Sequence, residues 1–113
     1  MSDAAVYADL HAHTQCSDGH LAPEALVAQA AEQGLQAFAV TDHDTVAGLP
    51  AAREAAAAHG LRLVSGVELS TAVDGRGVHL LGYGFDPEHS ALTDYLTAFT
   101  SRRRERLRQM VRR

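Results

Sequence analysis

The sequence predicts an α/β domain built on a parallel sheet, and three observations carry that prediction. Short apolar runs alternate with Ala-rich amphipathic stretches in β-α-β-α-β order. Each polar cluster falls after an apolar run and before a helical stretch, the edge at which α/β folds build their sites. The length of 113 residues suffices for one small domain, but a closed α/β barrel needs roughly 200.

The first run, Ala5-Val6-Tyr7-Ala8, reads as a strand leading into Asp9-Leu10-His11-Ala12-His13-Thr14-Gln15-Cys16-Ser17-Asp18-Gly19. Strand periodicity would put Asp9, His11 and His13 on one face, and a Ser-Asp-Gly turn could swing the Asp18 carboxylate back towards them. Two surface histidines at a strand end are the plain alternative. Imidazole with carboxylate is the ligand set of zinc, manganese or iron, and hard oxygen donors favour the latter two.

Pro23 to Gln33 is expected to be helical, with proline and Glu24 in the first turn and Gly34 as its stop. Leu35 to Val40 reads as a strand covered on both faces, and it runs into Thr41-Asp42-His43-Asp44. A second helix is expected over Leu49 to His59, closed by Gly60, and then a strand over Leu61 to Val67. The stretch continues through Glu68 to Val73, reaches Asp74-Gly75, and returns as Arg76 to Tyr83. Asp-Gly between alternating segments signals a two-residue hairpin loop. With that loop His79 lies opposite Ser70, and Glu68 falls on the same face one diagonal away. Beyond Phe85-Asp86-Pro87, Leu92, Tyr95, Leu96, Phe99, Arg103, Leu107, Met110 and Val111 recur at helical spacing, with Ser90 as the expected N-cap.

The net charge of -4 conceals an asymmetry. Residues 1–100 hold three arginines against thirteen acids, residues 101–113 hold seven arginines against Glu105, and lysine is absent. An acidic body rich in histidine suits a cation site. The basic tail suits a phosphate-bearing partner or a solvated helix face. No apolar run approaches the roughly 18 residues of a membrane span, and no leader pattern opens the chain. A single cysteine fits a reducing compartment, so a cytoplasmic protein without membrane contact or an obligate protein partner is expected. Cys16 is read as a packed loop thiol or a spare soft ligand. His59 is read as a dipole or capping residue, His89 as solvated, and His20 as outside the site.

Taken together, Asp9-Leu10-His11-Ala12-His13-Thr14, Ser17-Asp18-Gly19, Thr41-Asp42-His43-Asp44, Gly66-Val67-Glu68 and His79-Leu80-Leu81-Gly82-Tyr83 closely resemble the PHP (polymerase and histidinol phosphatase) superfamily. Within it the chain most resembles stand-alone bacterial phosphoesterases that act on nucleoside 3′,5′-bisphosphates and on short RNA from the 5′ end. The resemblance implies a distorted (β/α)7 TIM-like barrel. It also implies up to three divalent ions at the strands' carboxyl ends, manganese foremost, with iron or zinc as alternatives.

Carried over by position, His11 and His13 match the opening pair of ligands, Asp18 and His43 match ligands of a second ion, Glu68 a bridging carboxylate, and His79 a ligand of a third. Glu68, Asp18 and His43 are thereby the expected catalytic residues. Asp9, Asp42 and Asp44 are expected to orient imidazoles. Arg102, Arg103 and Arg104 are candidates for holding substrate phosphate.

The implied reaction is phosphate-ester hydrolysis by a metal-bound hydroxide, with no Ser or Cys nucleophile. The expected partner is a small phosphorylated substrate, a nucleotide or a short RNA 5′ end. Metal-assisted amide or lactone hydrolysis, and a non-catalytic metal-binding fragment, are the alternatives. Residues 1–87 are expected to form the first βα units, including a 66–84 hairpin, and residues 88–113 to begin a helical insertion. Family members carry a later His and a closing Asp-x-His past position 113, so the chain is read as the truncated N-terminal portion of such a barrel.

Overall fold

The computed structural model describes residues 7–112. Strand β1 spans Ala8–Asp9, helix α1 Pro23–Glu32, strand β2 Ala37–Val40, helix α2 Leu49–His59, strand β3 Arg62–Val73, strand β4 Arg76–Tyr83 and helix α3 Ser90–Val111. The four strands form one sheet in the order β1-β2-β3-β4. Pairing is parallel from β1 to β3, and β4 returns antiparallel to β3. This sequential parallel order with helical crossovers is that of a portion of a TIM-like barrel.

Among the described residues the first strand covers Ala8–Asp9. Ala5 and Val6 lie outside the described residues, and β1 ends at Asp9, so Leu10 to His13 form an extended loop rather than a strand. Their backbone stays close to β2 nonetheless: Thr41 donates its N–H to the Ala12 carbonyl at 2.8 Å.

Both crossover helices behave as their sequences require. Pro23 sits at the start of α1 with Glu24 in its first turn, and Gly60 closes α2 in the left-handed conformation. Their small residues allow close packing on the sheet. Val27 and Ala30 of α1, Phe38 and Val40 of β2, and Leu49, Ala52 and Ala56 of α2 form the core with Leu61. Fully burying a side chain the size of Phe38 or Leu49 contributes roughly 2 kcal/mol.

Two local features aim the carboxyl ends of β2 and β3 at one point. A β-carbon at Gly66 would lie 2.8 Å from the Val40 carbonyl oxygen and 2.7 Å from Thr41 Cγ2, so only glycine lets β3 approach the end of β2. Just beyond, Glu68 donates its N–H to the Asp42 carbonyl and accepts from the Asp44 N–H, which sets His43 beside Glu68 as an isolated parallel bridge.

The hairpin register is the one expected. Val73 pairs with Arg76 across Asp74-Gly75, and Ser70 pairs with His79. Helix α3 starts at Ser90, but its cap is His89, whose Nδ1 accepts the Ala91 N–H at 3.1 Å. His89 is thus a capping group rather than merely a solvated side chain. Of the helical stripe read from the sequence, only Leu96 is buried, while Tyr95, Leu107, Met110 and Val111 stay exposed.

Candidate metal centre

Glu68 is the floor of the site. Its side chain is 5% exposed, and ring nitrogens from three separate segments surround it. His11 Nε2 and His13 Nε2 both lie 2.8 Å from Oε1, and His79 Nδ1 lies 2.7 Å from Oε2. His43 Nδ1 stands 3.9 Å from Oε2. Asp18 closes the other side, with Oδ1 2.7 Å from His13 Nδ1 and Oδ2 3.5 Å from His43 Nε2.

The four imidazoles run in a row, with ring centroids 5.2, 4.5 and 5.0 Å apart from His11 through His13 and His43 to His79. Their burial is graded: His13 and His43 are about one-fifth exposed, whereas His11, His79 and Asp18 are more than half exposed at the rim. All six residues named from the sequence therefore meet in one place.

Three overlapping trios each bring their donor atoms within 4.8 Å of one another: His11-His13-Glu68, His13-Asp18-His43 and His43-Glu68-His79. Imidazole nitrogens combined with anionic oxygens suit zinc, manganese or iron, so the donor chemistry fits divalent ions. Glu68 is already prepared as an anion. Burial pushes its carboxyl up, but hydrogen bonds from His13 and His11 and positive charge at His43 and His11 outweigh it, bringing it down from 4.5 to about 2.

The three flanking aspartates act differently from expectation, on backbone and hydroxyls rather than on imidazoles. Asp9 Oδ1 accepts the His11 N–H at 3.1 Å, which shapes the loop but touches no ring. Asp42, 1% exposed, accepts the Thr14 N–H at 2.6 Å, the Thr14 hydroxyl at 2.7 Å and the Ser17 hydroxyl at 2.9 Å. Asp44 accepts the Ser70 N–H at 2.8 Å and its hydroxyl at 2.7 Å, from a left-handed backbone with φ 55°. Two carboxylates that look alike in sequence thus pin two different segments, the opening loop and β3. They orient ligands through the backbone that carries them.

The sequence reading gave no site role to Thr14, Ser17, Ser70 and Tyr83. Thr14 also accepts the Cys16 N–H, so one hydroxyl joins the loop to Asp42. Tyr83 donates its hydroxyl to the Leu10 carbonyl at 2.6 Å, tying β4 to the opening loop. A hydroxyl beside a turn motif is a usable signal for Thr14 and Ser17. Nothing local signals a contact across 73 residues of sequence.

Cys16 is exposed at the cleft wall, not packed, and belongs to none of the donor trios. His20 and His59 are exposed and stand outside the trios as expected. Of the three arginines expected to hold phosphate, Arg103 lines the cleft with Asp18, His43 and His79, and Arg102 lines the adjoining cavity. Arg104 faces a separate cavity between α3 and Thr45–Ala47.

The comparisons with known proteins agree with this geometry. The chain is 45% identical over 111 residues to the 5′-3′ exoribonuclease Rnm of Salmonella typhimurium, an alignment covering 96% of this chain and 38% of that protein. It is 41% identical over 102 residues to the 3′,5′-nucleoside bisphosphate phosphatase of Chromobacterium violaceum, covering 90% of this chain and 36% of the relative. It superposes with a TM-score of 0.86 on an amidohydrolase from Chromobacterium violaceum solved with sulfate bound, at 40% identity, over 93% of this chain and 37% of that one. The chain therefore spans little more than a third of the length of the relatives it matches. The PHP domain pattern matches residues 9–109, nearly the whole sequence and every residue of the His–carboxylate cluster, and the chain belongs to the PHP domain family.

Proposed function

We propose that this chain carries much of the metal-binding face of a phosphoesterase acting on nucleotides or short RNA. The observation that carries the reading is the convergence on Glu68 of His11, His13 and His79 ring nitrogens at 2.7–2.8 Å, with His43 and Asp18 alongside. Relatives named exoribonuclease and bisphosphate phosphatase support the substrate class.

In this reading His11 and His13 would hold one ion, Asp18 and His43 a second, and His79 would contribute to a third, with Glu68 as the shared carboxylate. Manganese is the expected metal, with iron or zinc as alternatives. Such ions supply neutralisation of ester oxygens and acidification of water near neutral pH. The chain's own part is to hold the donors at the right spacing. Glu68, already ionised and buried, stands between imidazoles from three segments, where it would serve as the bridging carboxylate. Asp18 and His43 face the open side, where water and the ester enter. Hydrolysis adds the water oxygen to phosphorus and releases the ester oxygen as an alcohol, so no Ser or Cys nucleophile is needed. The family fold is a distorted (β/α)7 barrel, of which residues 1–87 supply the first βα units and residues 88–113 the start of a helical insertion.

The test is phosphate release from adenosine 3′,5′-bisphosphate and mononucleotide release from a 5′-phosphorylated dinucleotide with added manganese, beside manganese binding to the same protein. Glu68→Gln is expected to weaken manganese binding at least about 100-fold and abolish release while circular dichroism stays unchanged. Manganese binding that Glu68→Gln leaves intact would sink the reading. The amidohydrolase named among the structural neighbours supports a second reading, metal-assisted amide hydrolysis. Release from amides but not from phosphate esters would favour it.

A further inference from the structure

We propose that Tyr83 is a positioning residue for the ligand His11: its hydroxyl and the Asp9 carboxylate clamp the Leu10–His11 peptide from both sides and so aim the imidazole at the ion it shares with His13. The inference rests on the metal-centre reading above and adds to it a residue of β4 that lies outside the donor trios.

His11 needs such help more than its neighbours do. The His13 ring has a carboxylate at each nitrogen, Glu68 at Nε2 and Asp18 at Nδ1. The His43 ring likewise lies between Asp18 and Glu68. Among the described residues the His11 ring has a single carboxylate partner, Glu68 at Nε2, and its side chain is 53% exposed. A metal-ligating imidazole is ordinarily oriented by a partner on its second nitrogen. For His11 the orientation has to come from the backbone.

That backbone is held on both sides of the residue. A peptide unit is planar, so the Leu10 carbonyl and the His11 N–H turn together. The Tyr83 hydroxyl donates to that carbonyl at 2.6 Å, and Asp9 Oδ1 accepts from that N–H at 3.1 Å. On the following peptide, the Ala12 N–H donates to Thr41 Oγ1 at 3.2 Å. Both peptides flanking His11 are therefore fixed, and with them the direction in which its side chain leaves the chain. Loss of the Tyr83 donor leaves the first peptide to the exposed Asp9 side chain alone.

Tyr83 is itself firmly placed. It shares one face of β4 with His79, and its partner across the ladder is Gly66, which puts no side chain in its path. The Gly84 N–H donates to the Ser65 carbonyl at 2.9 Å and pins the end of the strand. The glycine that lets β3 approach β2 thus also leaves the tyrosine room to reach the opening loop.

The experiment compares Tyr83→Phe, which keeps the ring and removes the donor, with the unaltered chain, each also in a His11→Ala background. Imidazole resonances are read by NMR without metal, and manganese affinity by titration calorimetry. Tyr83→Phe should shift the His11 ring and leave those of His13, His43 and His79 in place. It should weaken manganese binding about 3- to 10-fold, but less than about twofold once His11 is replaced, because a residue that acts through His11 then has nothing to position. Asp9→Ala acts on the other end of the same peptide and should reproduce both effects, so it decides the matter if Tyr83→Phe fails to fold. Equal weakening in both backgrounds, or a shift spread over all four rings, would make Tyr83 a general brace and overturn the inference. Unchanged manganese affinity would overturn it too. An unaltered chain that takes up no manganese strikes the metal-centre reading instead, and the His11 resonance then decides on Tyr83 by itself.

Discussion

The opening loop and the β3–β4 hairpin deliver ligands to the same carboxylate by opposite means. His11, His13 and Asp18 sit on irregular backbone, and long-range side-chain bonds hold that backbone in place. The buried Asp42, 28 residues from Thr14 in sequence, is the anchor. Glu68 and His79 sit instead on a ladder in continuous register, set by a two-residue turn whose Asp74 and Gly75 have φ of 52° and 77°. One half of the site is assembled by tertiary contacts and the other by local turn chemistry. The two halves should therefore respond differently to substitution.

The largest effect is expected at Asp42. Asp42→Ala removes three hydrogen bonds to a buried carboxylate and strands the Thr14 N–H. It should cost about 3 kcal/mol or more in urea-unfolding stability. Calorimetric titration should show manganese sites that depend on His13 and Asp18 lost and sites that depend on Glu68 and His79 kept. Equal loss of both would mean that the two halves are not independent.

Glu68 belongs to both halves, and its ionisation sharpens the comparison. Because its carboxyl is held at about 2 in the fold against 4.5, the unfolded chain binds more protons between those values. The stability Glu68 contributes is complete above pH 4.5 and is lost as pH falls towards 2. Urea midpoints of the unaltered chain and Glu68→Gln should differ most near pH 6 and converge as the solution is acidified to pH 2.5. A gap independent of pH would contradict the electrostatic account.

The smallest effect belongs to the turn. Gly75→Val forces a β-branched residue into the left-handed region at about 1–2 kcal/mol. His79 should then lose its place opposite Ser70, while His11 and His13 stay with Glu68. Chemical shifts of the four imidazoles report that division, and a uniform shift of all four would argue against it.

Much of this was readable beforehand, for physical reasons that differ by element. Helices α1 and α2 were legible because Pro23, Gly34 and Gly60 mark their ends. The hairpin was legible because a two-residue Asp-Gly loop admits one register, which places His79 against Glu68. The expectation that strand periodicity brings His11 and His13 to one side was met for another reason. Both reach Glu68 from a loop after β1 has ended, held by Asp9, Thr41 and Tyr83. Asp9, Asp42 and Asp44 bond backbone and hydroxyls instead of imidazoles, because a carboxylate beside a histidine in sequence need not face its ring in space.

The sequence by itself determined the order of elements, the residue types that can grip a cation, and the charge difference between body and tail. These follow from periodicity, turn chemistry and composition, which act over a few residues. The tertiary structure decided which carboxylate bridges, which ones brace loops, and which arginines of α3 reach the cleft. Those outcomes depend on strand register and on contacts such as Tyr83 to Leu10, and the energy that selects them exists only once distant segments have packed together.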